Sequence, residues 1–155
     1  MTRSHMAGLL ALVLAVPAAG AGAGIFSASS KPCFLSGNTA YRLSGSAAAN
    51  FTVRIENDDA GADLHMQLVD DPADADFVLV GDGDDASCRD AGAVRSIRID
   101  AAAEKPDLTV ALSKQPAAGG HKIYVRSTSF SAKEAAALFA VIWKTEHGRE
   151  SLARR

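Results

Sequence analysis

Slid against itself, the 155-residue chain gives one match, at an offset of 44. Val53-Arg54-Ile55 overlays Ile97-Arg98-Ile99, and Asp63-Leu64 overlays Asp107-Leu108. Leu68 overlays Leu112, and Pro72-Ala73 overlays Pro116-Ala117. One inserted residue later, Val78-Leu79-Val80 overlays Ile123-Tyr124-Val125. These are seven identities within 21 residues. Internal repetition constrains architecture before any local propensity does.

Each unit reads as three strands. Phe51, Val53 and Ile55 share one face of the first, and Leu64, Met66 and Leu68 one face of the second, with His65 and Gln67 opposite. Phe77 to Val80 is continuously apolar and reads as more deeply buried. In the second unit Ile97 and Ile99, then Leu108, Val110 and Leu112, then Ile123 and Val125 repeat the pattern. Such period-two alternation marks half-buried strands. The connections 57–63 and 70–76 are seven residues each. A parallel crossover takes a dozen or more, so neighbouring strands are expected to be antiparallel. Asp71-Pro72-Ala73 has the pattern of a capped single helical turn. Tyr41 to Leu43 suggests a seventh, short strand, and Ser44 to Asn50 a small-residue linker.

One helix is predicted over 131–147. Ser131-Ala132-Lys133-Glu134 is a capping box. Ala135, Leu138, Phe139, Ile142 and Trp143 then form one apolar stripe, and Gly148 is the expected stop. The expected fold class is α+β: a mainly antiparallel sheet built from two three-strand ββ-meanders (51–81 and 95–126), with the amphipathic helix packed on one face. A β-sandwich closed by the helix is the alternative.

The N-terminus reads as an export segment. Arg3 precedes the apolar run Met6 to Val16, Pro17 ends it, and small residues follow with two A-x-A triplets, Ala19-Gly20-Ala21 and Ala21-Gly22-Ala23. That order matches a secretory signal peptide over 1–23. A retained membrane anchor is the alternative, because Met6 to Phe26 carries no charge. Residues 24–50 then form a linker with a short strand, 51–148 one domain, and 149–155 a polar tail. Either way the body lies outside the cytoplasm, and the Ala-rich composition points to a bacterial periplasm. Cys33 and Cys88 are the only cysteines, and in an exported protein they read as a disulfide.

Chemistry-bearing patterns are sparse. Gly81-Asp82-Gly83-Asp84-Asp85 clusters carboxylates suited to calcium, but without the order of an EF-hand loop. His5, His65, His121 and His147 form no H-x-x-x-H pair and read as surface residues. No G-x-S-x-G elbow, P-loop or G-x-G-x-x-G is present. Trp143 and Phe139 read as core. Arg54 and Arg98 occupy equivalent places in the two units, where they would form an anion site or two exposed strand arginines.

Charge is the strongest remaining signal. The net charge of −2 combines +4 over residues 1–55 with −11 over 56–90 and +5 over 91–155. There is no global basic footprint for nucleic acid. The expected function is a non-catalytic exported domain that binds an unidentified envelope protein, with Asp70, Asp71, Asp74, Arg54 and Arg98 as contact residues and no cofactor. Head-to-tail self-association, acidic unit against basic unit, is one form of it. The alternatives are a small periplasmic hydrolase with a site drawn from distant residues, and a calcium-dependent surface module.

Overall fold

A computed structural model of the chain describes residues 33–57, 61–81, 88, 90–116 and 119–153. The export segment and Asp82 to Asp85 lie outside them. The chain runs β1 (Phe34–Ser36), β2 (Thr39–Leu43), β3 (Phe51–Glu56), β4 (Leu64–Leu68), β5 (Phe77–Val80), β6 (Ala93–Ile99), β7 (Leu108–Ser113), β8 (His121–Arg126) and α1 (Ala132–Ala153). A single 3-10 turn, Pro72–Asp74, precedes β5, capped by Asp71. Among the described residues the fold is α+β: one eight-stranded sheet and one helix. The sandwich alternative is set aside, because all eight strands belong to that single sheet.

The sheet order is β1-β2-β6-β3-β7-β4-β8-β5. Only β1 and β2 pair antiparallel; the other six pairings are parallel. The expectation of a mainly antiparallel sheet of two meanders is therefore corrected. Strands of one unit are not neighbours. Each strand of the first unit pairs with its counterpart in the second, at Phe51↔Ile97, Leu64↔Val110 and Phe77↔Ile123.

The crossover rule failed because it assumes strands that lie level. Here they climb like stairs. Val53 faces Leu108, but it is Val110 that faces Leu64, so β4 starts level with Ile55, near the end of β3. Likewise Leu68 and Phe77 both face Ile123, so β5 starts level with the end of β4. The chain never runs back along a whole strand. It only steps sideways over one intervening strand, about 10 Å in all, and seven residues suffice.

A repeated device sets this register. The residue before five strands is Asn or Asp, and its side chain accepts a hydrogen bond from the neighbouring strand. The donors are Gly92 N–H to Asn38 Oδ1 (2.9 Å), Ser96 N–H to Asn50 Oδ1 (2.8 Å) and Thr109 N–H to Asp63 Oδ2 (2.7 Å). Lys122 N–H gives to Asp76 Oδ2 (2.8 Å) and Thr52 N–H to Asp107 Oδ2 (2.7 Å). In every case the donor stands one residue before the partner of the strand's first residue.

The inner face of the sheet carries Val53, Leu64, Met66, Ile97, Leu108, Val110 and Ile123, all buried against α1. The capping box forms as expected: Ser131 N–H donates to Glu134 Oε2 (2.8 Å) and Glu134 N–H to Ser131 Oγ (3.3 Å). The helix does not stop at Gly148 but continues to Ala153. A helical Gly costs about 1 kcal/mol relative to Ala without ending the helix.

Nor is α1 a stripe on a flat face. Ala135, Ala136, Ala137, Leu138, Ala140 and Val141 are all fully buried, so its middle turns are enclosed on every side. β3, β4, β6, β7 and β8 all contact it, and the two ends of the sheet meet where Phe34 of β1 reaches Phe77 of β5. The sheet thus curls around the helix. A helix that is apolar all round is a buried one, and the run of alanines lets the strands approach its backbone.

Cys33 and Cys88 are bonded, with Cα atoms 6.3 Å apart. The bridge ties the stretch before β1 to the stretch before β6 and packs with Ala40 and Ala91 in a small second core.

Candidate functional site

Eight closed strands leave an interior just wide enough for side chains, and a helix is about 10 Å across. The curl around α1 accordingly does not close by hydrogen bonds. Among the described residues β1 and β5 are the two ends of the sheet, and each pairs with one neighbour. The seam between them is closed from inside by rings. Phe34 and Phe77 lie 5.9 Å apart by centroid, and Phe77 and Phe139 5.1 Å. The chain of rings continues through His121 and Trp143 to His147, whose imidazole stacks on the indole at 4.5 Å.

Outside, the seam is apolar and open to solvent. Four large hydrophobic residues are exposed among the described residues: Leu35 (42%), Val78 (45%), Val80 (53%) and Val94 (58%). Three of them border the seam, Leu35 on β1 and Val78 and Val80 on β5. This corrects the reading of Phe77 to Val80 as a more deeply buried strand. Phe77 and Leu79 face inward, while the two valines between and after them project from an edge strand.

The acidic residues expected to make contacts lie in the connection that steps from β4 across β8 to β5. Asp70, Asp71 and Asp74 are exposed in the corner between β4 and β5. Asp71 Oδ1 accepts the Ala73 N–H at 2.8 Å and so holds the 3-10 turn. None of the three has an ion-pair partner among the described residues.

Arg54 and Arg98 are not part of this cluster. They share the outer face of adjacent strands β3 and β6, and β7, β4 and β8 separate β3 from β5. Each is paired with the carboxylate two residues on, Arg54 Nε with Glu56 Oε1 at 2.6 Å and Arg98 Nη1 with Asp100 Oδ2 at 2.8 Å. Arg54 Nη1 also donates to Ala103 O at 3.0 Å. Each guanidinium is thus already engaged by a carboxylate of its own strand or the residue after it.

The structure also redistributes the histidines and the tryptophan. His65 projects from the outer face of β4. His121 faces inward against Phe139 and Trp143, which its position among polar neighbours concealed. Trp143 is half-buried rather than core. A polar cavity of about 390 Å³ lies beside β1, lined by Asn38, Tyr41, Thr145 and Glu146 among others. No group of three or more metal-ligating side chains occurs among the described residues.

The sequence held one overlooked signal for the seam. Gly37-Asn38 stands between two short apolar runs, a two-residue hairpin turn, and Gly37 takes the positive φ of 56° that such turns require. No family model, curated protein or solved structure matches the chain. Among the described residues no helix is long and apolar enough to cross a membrane.

Proposed function

We propose that the chain is an exported, non-catalytic binding domain whose partner is another protein of the bacterial envelope, and that the seam is its contact face. The observation that carries this reading is the placement of exposed apolar side chains: three of four border the two unpaired edges of one sheet. Folded proteins usually blunt an open edge with Lys, Pro, a bulge or a covering loop. Phe77-Val78-Leu79-Val80 contains none of those residues. The signal-like N-terminus and the bonded cysteines support an oxidising compartment, the periplasm.

The finer reading of the fold belongs here as well. Counterpart strands face one another at a separation of 46 residues across three interfaces. That constancy supports two copies of one three-strand unit, duplicated and then interleaved.

The test is capture from envelope extract with the exported form and with a Val78→Lys, Val80→Lys variant. The parent is expected to retain a protein that the variant loses at an unchanged melting temperature. Equal retention by both would reject this face as the contact surface.

A further inference from the structure

We propose that the seam receives a single extended segment of the partner, added as a ninth strand on the free edge of β5, with Lys or Arg at the end beside Asp70, Asp71 and Asp74. This rests on the reading that the seam face binds a protein, and adds the mode and the chemistry of the ligand. An unpaired strand edge offers a row of backbone donors and acceptors, and an added strand satisfies them while alternate side chains supply specificity. The two sides of the seam then dictate what those side chains are. Below, the rings of Phe34, Phe77 and Phe139 already fill the space, so inward residues must be small. Above, Leu35, Val78 and Val80 stand exposed on both banks, so outward residues are apolar and β-branched ones fit.

Charge sets the chemistry of one end. Three exposed carboxylates without ion-pair partners stand in the connection that leads from β4 into β5. A segment paired with β5 matches that corner by placing a basic end beside it. The steric argument favours a lone segment over the edge of a second copy. β1 stands directly across the seam, with Phe34 in contact with Phe77, and another folded sheet edge would collide with it.

The test uses synthetic peptides on the exported, isotope-labelled protein. The first set alternates Ser and Val and carries Lys-Arg at one end, made in both orders. The second carries Glu-Glu instead, and the third places Pro at alternate positions to remove backbone donors. The better Lys-Arg peptide should bind and slow amide exchange at Val78 to Val80. The Glu-Glu form should bind roughly tenfold more weakly, since its two end charges then face the three rim carboxylates with the same sign, and the Pro form not at all. A triple Asp70→Asn, Asp71→Asn, Asp74→Asn variant should lose about the same factor for the basic peptide only. Asn at 71 keeps the acceptor that caps the turn.

Equal affinity for the basic and acidic peptides, or protection anywhere but β5, would overturn the proposal. So would protection of β5 that rises with protein concentration alone, which assigns the seam to a second copy. If no peptide protects β5 while capture still depends on Val78 and Val80, strand addition fails and the partner reading stands. If capture is indifferent to both valines, the two fail together.

Discussion

Asp63, Asp76 and Asp107 each stand directly before a strand, and each accepts a backbone N–H from the strand beside it. By composition they are indistinguishable from Asp70 and Asp74, which project into solvent. The two groups should separate on mutation. A hydrogen bond to a charged acceptor is worth about 1.5–3 kcal/mol when well shielded, and these sites are partly exposed. Asp63→Ala is therefore expected to lower stability by about 1–2 kcal/mol, and Asp70→Ala to stay within about 0.5 kcal/mol of the parent. Urea denaturation of both variants measures the difference. Trp143 is the second residue whose weight the structure changes. It is half-buried between His121 and His147, so Trp143→Ala is expected to cost about 2–3 kcal/mol, less than the 3–5 of a fully buried aromatic. Calorimetry on the variant reads that directly, and a loss under about 1 kcal/mol would mean the indole carries little of the packing.

Among the elements, the parallel interface between β4 and β8 differs from the other five. Its registering position, the residue before β8, is Gly120, and the matching donor position on β4 is His65. Gly120 is not among the glycines with positive φ, so a side chain meets no backbone penalty. Gly120→Ala is expected to raise stability by about 0.4–1 kcal/mol, from a less flexible unfolded chain. An unchanged or lower midpoint in urea would show that the native backbone at 120 does not accommodate a side chain. Strand positions were legible in the sequence because alternation reports which side chains face a core. Phe51 to Glu56 and Phe77 to Val80 are found at the expected bounds. Strand direction was not legible. Clean alternation usually marks an antiparallel sheet with one wet face, since parallel sheets are covered on both. This parallel sheet wraps α1 and leaves the other face to Thr52, Arg54, Ser96 and Arg98, so it mimics the antiparallel pattern. The acidic half of the candidate site was legible as charge. The apolar half was not, because whether Val78 and Val80 are exposed depends on which strand ends the sheet.

At the scale of the whole molecule, interleaving dissolves the division that the charge totals suggest. Lys122 and Arg126 of the basic unit lie on β8, between β4 and β5 of the acidic one. Among the described residues the strands of the two units alternate rather than forming an acidic and a basic lobe. What remains local is the acidic corner beside the seam. The other global constraint is the disulfide, and its position decides what it does. Cys33 and Cys88 are 55 residues apart in sequence, a closed loop worth about 4 kcal/mol by chain entropy. Yet the bond secures only the outermost hairpin, β1 and β2, against the stretch before β6. The main core around α1 is built without either cysteine. Reduction is therefore expected to act in two stages. Global stability should fall by up to about 4 kcal/mol, read from the urea midpoint. Amide exchange should rise first in β1 and β2, while β3, β7 and α1 remain protected as a separate cooperative unit. The same loosening frees β1 from its anchor and widens the seam, so the reduced form should bind the Ser-Val peptide with a changed off-rate. Uniform loss of protection across all strands would place the bridge within one indivisible core and remove β1 as an independently held bank of the seam.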